Sequence, residues 1–226
     1  MSYTLLYLAL FVAFLDWIAV ARGWKWLEYI AKPGVMVLLL IWLGVSAGFG
    51  GQLVWFAAGL AFSMLGDIFL MLPREQFIAG LVAFLVAHLA YLVGFNASLP
   101  PVNLASLAIA LAVGLAAGQL YRRISAGLRA RGEGKLLTPV LVYSGVISLM
   151  LLSALLTLVR SNLEWMPGPA LLVSLGALLF FASDSFLAWN KFVAPLPYGR
   201  LRVIVTYHLG QALIALGALL HVLTPL

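Results

Sequence analysis

The sequence predicts an all-α integral membrane protein, one transmembrane domain built as a bundle of eight helices. Three observations carry that expectation. The chain is 65% hydrophobic and only 9% charged, with a mean hydropathy of +1.12, well below the charge content of soluble domains. Most of its 226 residues lie in apolar runs near the length of about 20 that a helix needs to cross hydrocarbon. Helix is expected there because every backbone polar group in lipid needs a partner. Third, the basic residues gather in alternate connections. The absence of cysteine excludes disulfides, thiol catalysis and Cys metal sites.

The spans follow in order. Tyr3–Ala21 is the first: residues 1–15 have no basic n-region, and Asp16 and Trp17 stand where a signal peptide would carry small cleavage-site residues. Gly34–Gly48 is short and is expected to start near Lys32 and Pro33, since proline suits a first helical turn. Gly50 and Gly51 turn it tightly into Gln52–Leu72. Phe77–Ala97 comes next, and Pro100 and Pro101 separate it from Asn103–Tyr121. The glycine- and arginine-rich stretch Arg122–Lys135 reads as a loop before Leu136–Val159. Pro167, Pro169, Pro195 and Pro197 then punctuate Gly168–Trp189 and Leu201–Val222.

The charges set the expected topology. Arg22, Lys25, Lys32, Arg74, Arg122, Arg123, Arg129, Arg131, Lys135, Lys191, Arg200 and Arg202 all lie in the connections after spans one, three, five and seven. Only Arg160 lies on the other side. Both termini are therefore expected outside the cytoplasm. The net charge of +6 is thus a topology signal rather than a nucleic-acid one, and Arg122–Lys135 is a determinant that meets anionic lipid. The expected location is a plasma membrane, or the inner membrane for a bacterial source.

Two stretches bury a carboxylate. FSMLGDIFLM holds Asp67 in span three, and FFASDSFLAW holds Asp184 in span seven. The following span in each half carries a histidine, His88 and His208, which reads as a weak 4+4 parallel repeat. At 1.5 Å per residue, Asp67 and Asp184 each lie roughly 8 Å from the cytoplasmic end of their span. Tyr207, His208 and Gln211 lie roughly 9–15 Å in, and His88 lies near the midplane. An ionisable group in lipid is costly and faces the bundle interior, so these side chains are expected to share one site. Two neighbouring carboxyls can hold one proton between them, the arrangement that acid–base hydrolysis uses.

Other polar residues have plainer readings. Trp17, Trp24, Trp26, Trp165 and Trp189 read as interface anchors. Asp16 reads as a charge partner of the basic first loop, and the glycines of spans three, five and seven as close-packing positions. No P-loop, GxSxG or HExxH pattern is present. Two rival functions use the same residues. Asp67, Asp184, His88 and His208 are the ligand types of a metal-dependent membrane lipid hydrolase. Intramembrane Asp and His also build proton relays in small proton-coupled transporters.

Lys32-Pro33, Gly66-Asp67, His88 with Tyr91, Ser183-Asp184, and Tyr207 with Gln211 occur in order along nearly the whole chain. Together they resemble the YhhN family, eight-span lysoplasmalogenases. One departure stands at His208, where the family often has a second tyrosine. The resemblance implies hydrolysis of the vinyl-ether bond of a lysoplasmalogen to a fatty aldehyde and glycerophosphoethanolamine or glycerophosphocholine. It implies Asp67 and Asp184 as the acid–base pair. His88, Tyr91, Ser183, Tyr207, His208 and Gln211 would support or orient, and Lys32, Arg200 and Arg202 would receive the substrate phosphate. The alkenyl chain would lie between helices. No cofactor or metal is required, and the only partners implied are the lysophospholipid substrate and membrane lipids, with no nucleic acid or protein partner.

Overall fold

A computed structural model describes residues 2–74, 76–160 and 164–224. Eight helices in it are long and apolar enough to cross a membrane: α1 (Thr4–Arg22), α2 (Lys25–Ala47), α3 (Leu53–Met71), α4 (Phe77–Phe95), α5 (Leu104–Ala130), α6 (Leu137–Leu156), α7 (Pro167–Ala188) and α8 (Gly199–Leu223). No strand occurs among the described residues. The chain is a multi-pass integral membrane protein.

Two helix boundaries differ from the sequence reading. The second helix begins at Lys25, not near Lys32-Pro33, and Pro33 lies inside it. Lys25, Glu28 and Lys32 lower the hydropathy of this stretch, but their charges are compensated. Glu28 pairs with Lys25 one turn away at 3.2 Å and with Arg200 of α8 at 2.6 Å. The fifth helix runs on to Ala130, so Arg122–Ala130 is not loop. Ile124, Ser125 and Leu128 give this basic extension a buried face, and it packs on a π-helical turn at Trp189–Val193.

Lipid tails are as apolar as leucine, so helices in a membrane associate through close packing rather than hydrophobic exclusion. The α7–α8 pair shows how. A Cβ on Gly176 would lie 2.8 Å from the Gly210 carbonyl oxygen, and one on Gly210 would lie 2.9 Å from that of Gly176. The two backbones therefore touch, which carries Tyr207, His208 and Gln211 into the bundle. Gly59 and Gly66 of α3 lie under the rings of Tyr91 and Phe84 of α4. The glycines of span five behave differently: Gly114 and Gly118 face open space. Large apolar side chains cover the outside, such as Phe11 and Phe14 on α1 and Leu107, Leu111 and Leu115 on α5.

Arg160 ties down the end of the bundle away from the basic loops. Its side chain is only 3% exposed. Nη1 donates to Glu164 Oε2 at 2.6 Å and to Ser98 Oγ at 2.5 Å, while Nη2 donates to Asn96 Oδ1 and the Phe95 carbonyl. The α4–α5 connection is thereby fastened to the segment before α7. The Ser98 hydroxyl, and then the Arg160 guanidinium, hold the Glu164 carboxyl below the ordinary glutamate range. A lowered folded-state value stabilises above the unfolded value, and that contribution is lost as pH falls through the folded value. Arg160→Ala should lower the thermal unfolding midpoint in detergent by roughly 5–10 °C. The variant should also lose part of the wild-type fall in stability on acidification below the ordinary glutamate range. An unchanged midpoint would show the fastening to be idle.

Candidate active site

The polar residues converge where the C-terminal ends of α3 and α7 meet the N-terminal parts of α2 and α8. This is the end that carries the basic connections after α1, α3 and α7. A cavity of about 500 Å³ opens there, and Lys25, Glu28, Lys32, Asp67, Asp184 and Arg200 are among its lining residues.

Asp67 anchors one side. It is four residues from the end of α3, and its side chain is 1% exposed. Lys32 Nζ lies 2.8 Å from Oδ1, and Tyr207 donates its hydroxyl to Oδ2 at 2.6 Å. Lys32 reaches it because α2 starts two turns earlier than the sequence reading placed it. Below the pair, Gln211 donates to Ser63 Oγ at 2.9 Å and accepts from the Tyr91 hydroxyl at 2.5 Å. Every member of this buried chain is hydrogen-bonded, which holds the Tyr207 helix face in one position.

Asp184 anchors the other side, on α7, with its side chain 12% exposed. His88 Nε2 of α4 lies 3.1 Å from Oδ2, and Tyr143 of α6 donates its hydroxyl to the same oxygen. His88 Nε2 is also 3.0 Å from the Tyr143 hydroxyl, so the three groups form a closed triangle. Oδ1 of Asp184 takes no hydrogen bond from the described residues. The fully buried Phe180 ring packs between the two groups, 4.6 Å from His88 and 5.4 Å from Tyr207 by ring centroids. Each carboxylate is bonded from both halves of the chain: Asp67 from Lys32 of α2 and Tyr207 of α8, Asp184 from Tyr143 of α6 and His88 of α4.

The remaining predicted residues fall in different places. Ser183 lines the cavity, but its hydroxyl donates to the Val203 carbonyl at 2.9 Å and ties α7 to α8. His208 turns away from both carboxylates. Its Nδ1 accepts from the Trp17 indole at 3.2 Å, and its Nε2 is buried without a partner among the described residues. Arg200 stands at the cavity mouth and donates to both Glu28 oxygens. Arg202 is exposed and is not among the residues lining that cavity.

Three plainer readings need correction. Trp17 and Trp165 are not interface anchors: Trp17 bonds His208, and buried Trp165 stacks on His221 with centroids 3.8 Å apart. Asp16 is not a charge partner of the first loop. It is fully buried, and neither carboxylate oxygen has a hydrogen-bond partner among the described residues.

The sequence reading missed Tyr143. A usable signal existed: it lies six residues into α6, roughly 9 Å from that end, matching the depth of Asp184. It missed Glu28 and Ser63 as well. No group of three His, Cys, Asp or Glu side chains is gathered for a metal ion among the described residues.

Comparison with known proteins adds an independent line. The family model described as the YhhN family matches residues 27–218. The chain is 35% identical to lysoplasmalogenase TMEM86B of Mus musculus over 94% of its own length and 84% of that protein. It is 35% identical to lysoplasmalogenase TMEM86A of Homo sapiens over 71% of its length and 63% of that protein. A shorter match, 34% identical over 33% of this chain and 36% of the other, is to the uncharacterized membrane protein YhhN of Escherichia coli O157:H7. No solved structure matches the chain.

Proposed function

Because the chain belongs to the YhhN family, we propose that it is a lysoplasmalogenase, hydrolysing the vinyl-ether bond of a lysoplasmalogen. The products would be a fatty aldehyde and glycerophosphoethanolamine or glycerophosphocholine. The names and 35% identity of the TMEM86 relatives support the activity. The observation that carries the mechanism is one cavity holding two carboxylates in unlike surroundings, Asp67 against a lysine and Asp184 against a histidine and a tyrosine.

Vinyl ethers hydrolyse through protonation of the alkene carbon remote from oxygen. Asp184 serves as the acid. Tyr143 and His88 bond one oxygen and fix the carboxyl plane, while Oδ1 delivers the proton to carbon. The carbon bound to oxygen becomes an oxocarbenium centre. Asp67 serves as the carboxylate, with the Lys32 ammonium and Tyr207 hydroxyl orienting it. It stabilises the positive centre and accepts a proton from the attacking water, as the base does in inverting glycoside hydrolysis. Collapse of the hemiacetal breaks the carbon–oxygen bond to glycerol. Asp67 returns its proton to the glycerol oxygen while the hemiacetal hydroxyl gives its proton to Asp184, so the aldehyde leaves, both carboxyls are reset and one water has been consumed. Lys25 and Arg200 line the cavity with side chains 57% and 49% exposed; both pair with Glu28, but they face a phosphate at the mouth more openly than Lys32, which is 13% exposed beside Asp67.

Cleavage in D2O tests the chemistry. Aldehyde trapped at once as a hydrazone should carry one deuterium on the carbon next to the former carbonyl, against an authentic aldehyde control that carries none. Aldehyde without that deuterium would exclude protonation at carbon.

A further inference from the structure

A second cavity adjoins the first and differs from it in character. It lies among α3, α4, α5, α6, α7 and the 189–193 turn, and its volume is about 60 Å³. By the space one water needs, that is room for roughly four to six water- or methylene-sized groups. Phe77, Leu81, Leu120, Ile147 and Phe181 form much of its wall. Three serines also line it, Ser144, Ser148 and Ser185. Two of their hydroxyls turn back onto their own helices: Ser148 donates to the Ser144 carbonyl and Ser185 to the Phe181 carbonyl, each at 2.6 Å. A hydroxyl so occupied leaves little for a ligand.

The two cavities share Leu70, Phe84, Asp184 and Leu187. Asp67 lines only the polar one, whereas Asp184 stands at the junction. The far wall is thin. Ala117 of α5 lines the apolar cavity, and its neighbours Gly114 and Gly118 face open space. Further toward its N-terminus α5 presents exposed Leu107, Leu111 and Leu115. A chain leaving the cavity past Ala117 would enter hydrocarbon.

We infer that the apolar cavity is a binding site for the first carbons of a single hydrocarbon chain, which continues past α5 into the bilayer. This rests on the hydrolase reading above and deepens it. Seating the chain there puts the bond between hydrocarbon and glycerol oxygen at the junction, beside Asp184, and leaves the glycerophosphate in the polar cavity. A second chain on the same glycerol would have to lie against Lys25, Glu28, Lys32 and Asp67, so the pair of cavities accepts one chain and rejects two.

The probe is a saturated alkyl-ether lysophospholipid with a diazirine on the fourth chain carbon. It lacks the vinyl ether, so it binds without turnover. Photolysis on purified wild-type protein should label peptides of α5 near Leu120 and of α6 near Ile147. Ala117→Trp and Ser144→Phe fill the cavity from α5 and from α6, and neither residue belongs to the catalytic set. Each should cut that labelling about tenfold and raise KM for a long-chain lysoplasmalogen about tenfold. Hydrolysis of the shortest vinyl ether of glycerophosphate should stay within about twofold of wild type.

Labelling confined to other helices, or undisturbed by either folded variant, would overturn the inference. So would equal loss on long and short substrates. Wild-type labelling near Leu120 and Ile147, lost in the variants, without release of aldehyde would uphold the chain site and reject the hydrolase. Aldehyde release with labelling elsewhere would do the reverse.

Discussion

Asp184→Asn is expected to lower turnover of a lysoplasmalogen by about a hundredfold or more, the scale of losing a positioned general acid. The protein should stay folded. Asparagine has nearly the same shape, and its amide oxygen can still accept from the Tyr143 hydroxyl and from His88. What it lacks is a proton that can be given to carbon. KM should change little, because the lost interaction belongs to the transition state. Tyr143→Phe supplies the comparison: it removes a positioning hydrogen bond and leaves the acid in place, so its loss should be smaller. Near-normal turnover in purified Asp184→Asn would remove this residue from the chemistry.

Lys32→Met is expected to damage both fold and activity. The Lys32–Asp67 pair is buried, at 2.8 Å, with the carboxylate side chain 1% exposed. Removing the cation leaves that carboxylate without compensation, which costs about 3–5 kcal/mol in buried pairs. Combining Lys32→Met with Asp67→Leu replaces the pair by apolar groups and should recover much of the stability, since buried ion pairs often break even against such replacements. Activity should stay absent in the double variant. Thermal unfolding in detergent and aldehyde release, measured on the same preparations, separate the two effects. Wild-type stability in Lys32→Met would contradict the ion pair. Recovered activity in the double variant would contradict a chemical role for Asp67.

The eight helices were legible because hydropathy is strong and each apolar run stands between polar or proline-rich breaks. Boundaries failed where charge is compensated in three dimensions. Lys25 and Glu28 look like loop until Arg200 is brought to Glu28 from 172 positions away. Arg122–Ala130 looks like loop until Phe192 and its neighbours cover Ile124 and Leu128.

The convergence of the candidate site was legible through depth. A constant rise per residue brought Asp67, Asp184, Tyr207 and Gln211 to one end of the bundle, and the structure brings these side chains to one cavity or the hydrogen-bond chain beneath it. Which residue touches which was not legible. Depth carries no information about azimuth, so nothing in the sequence assigned His88 to Asp184 or Tyr207 to Asp67. His208 shows the same limit: it has the right depth but faces Trp17 on α1. Tyr143 matched the depth of Asp184 but stood alone in span six, with no neighbouring charge to mark it.

Aldehyde release from a lysoplasmalogen by the detergent-purified protein, beside Asp67→Asn and Asp184→Asn and with and without a chelator, tests the two-carboxylate hydrolase most directly. The expected result is release from wild type that survives the chelator and disappears in both variants. Undiminished release from folded variants, release abolished by the chelator, or no aldehyde from well-folded wild-type protein would contradict it.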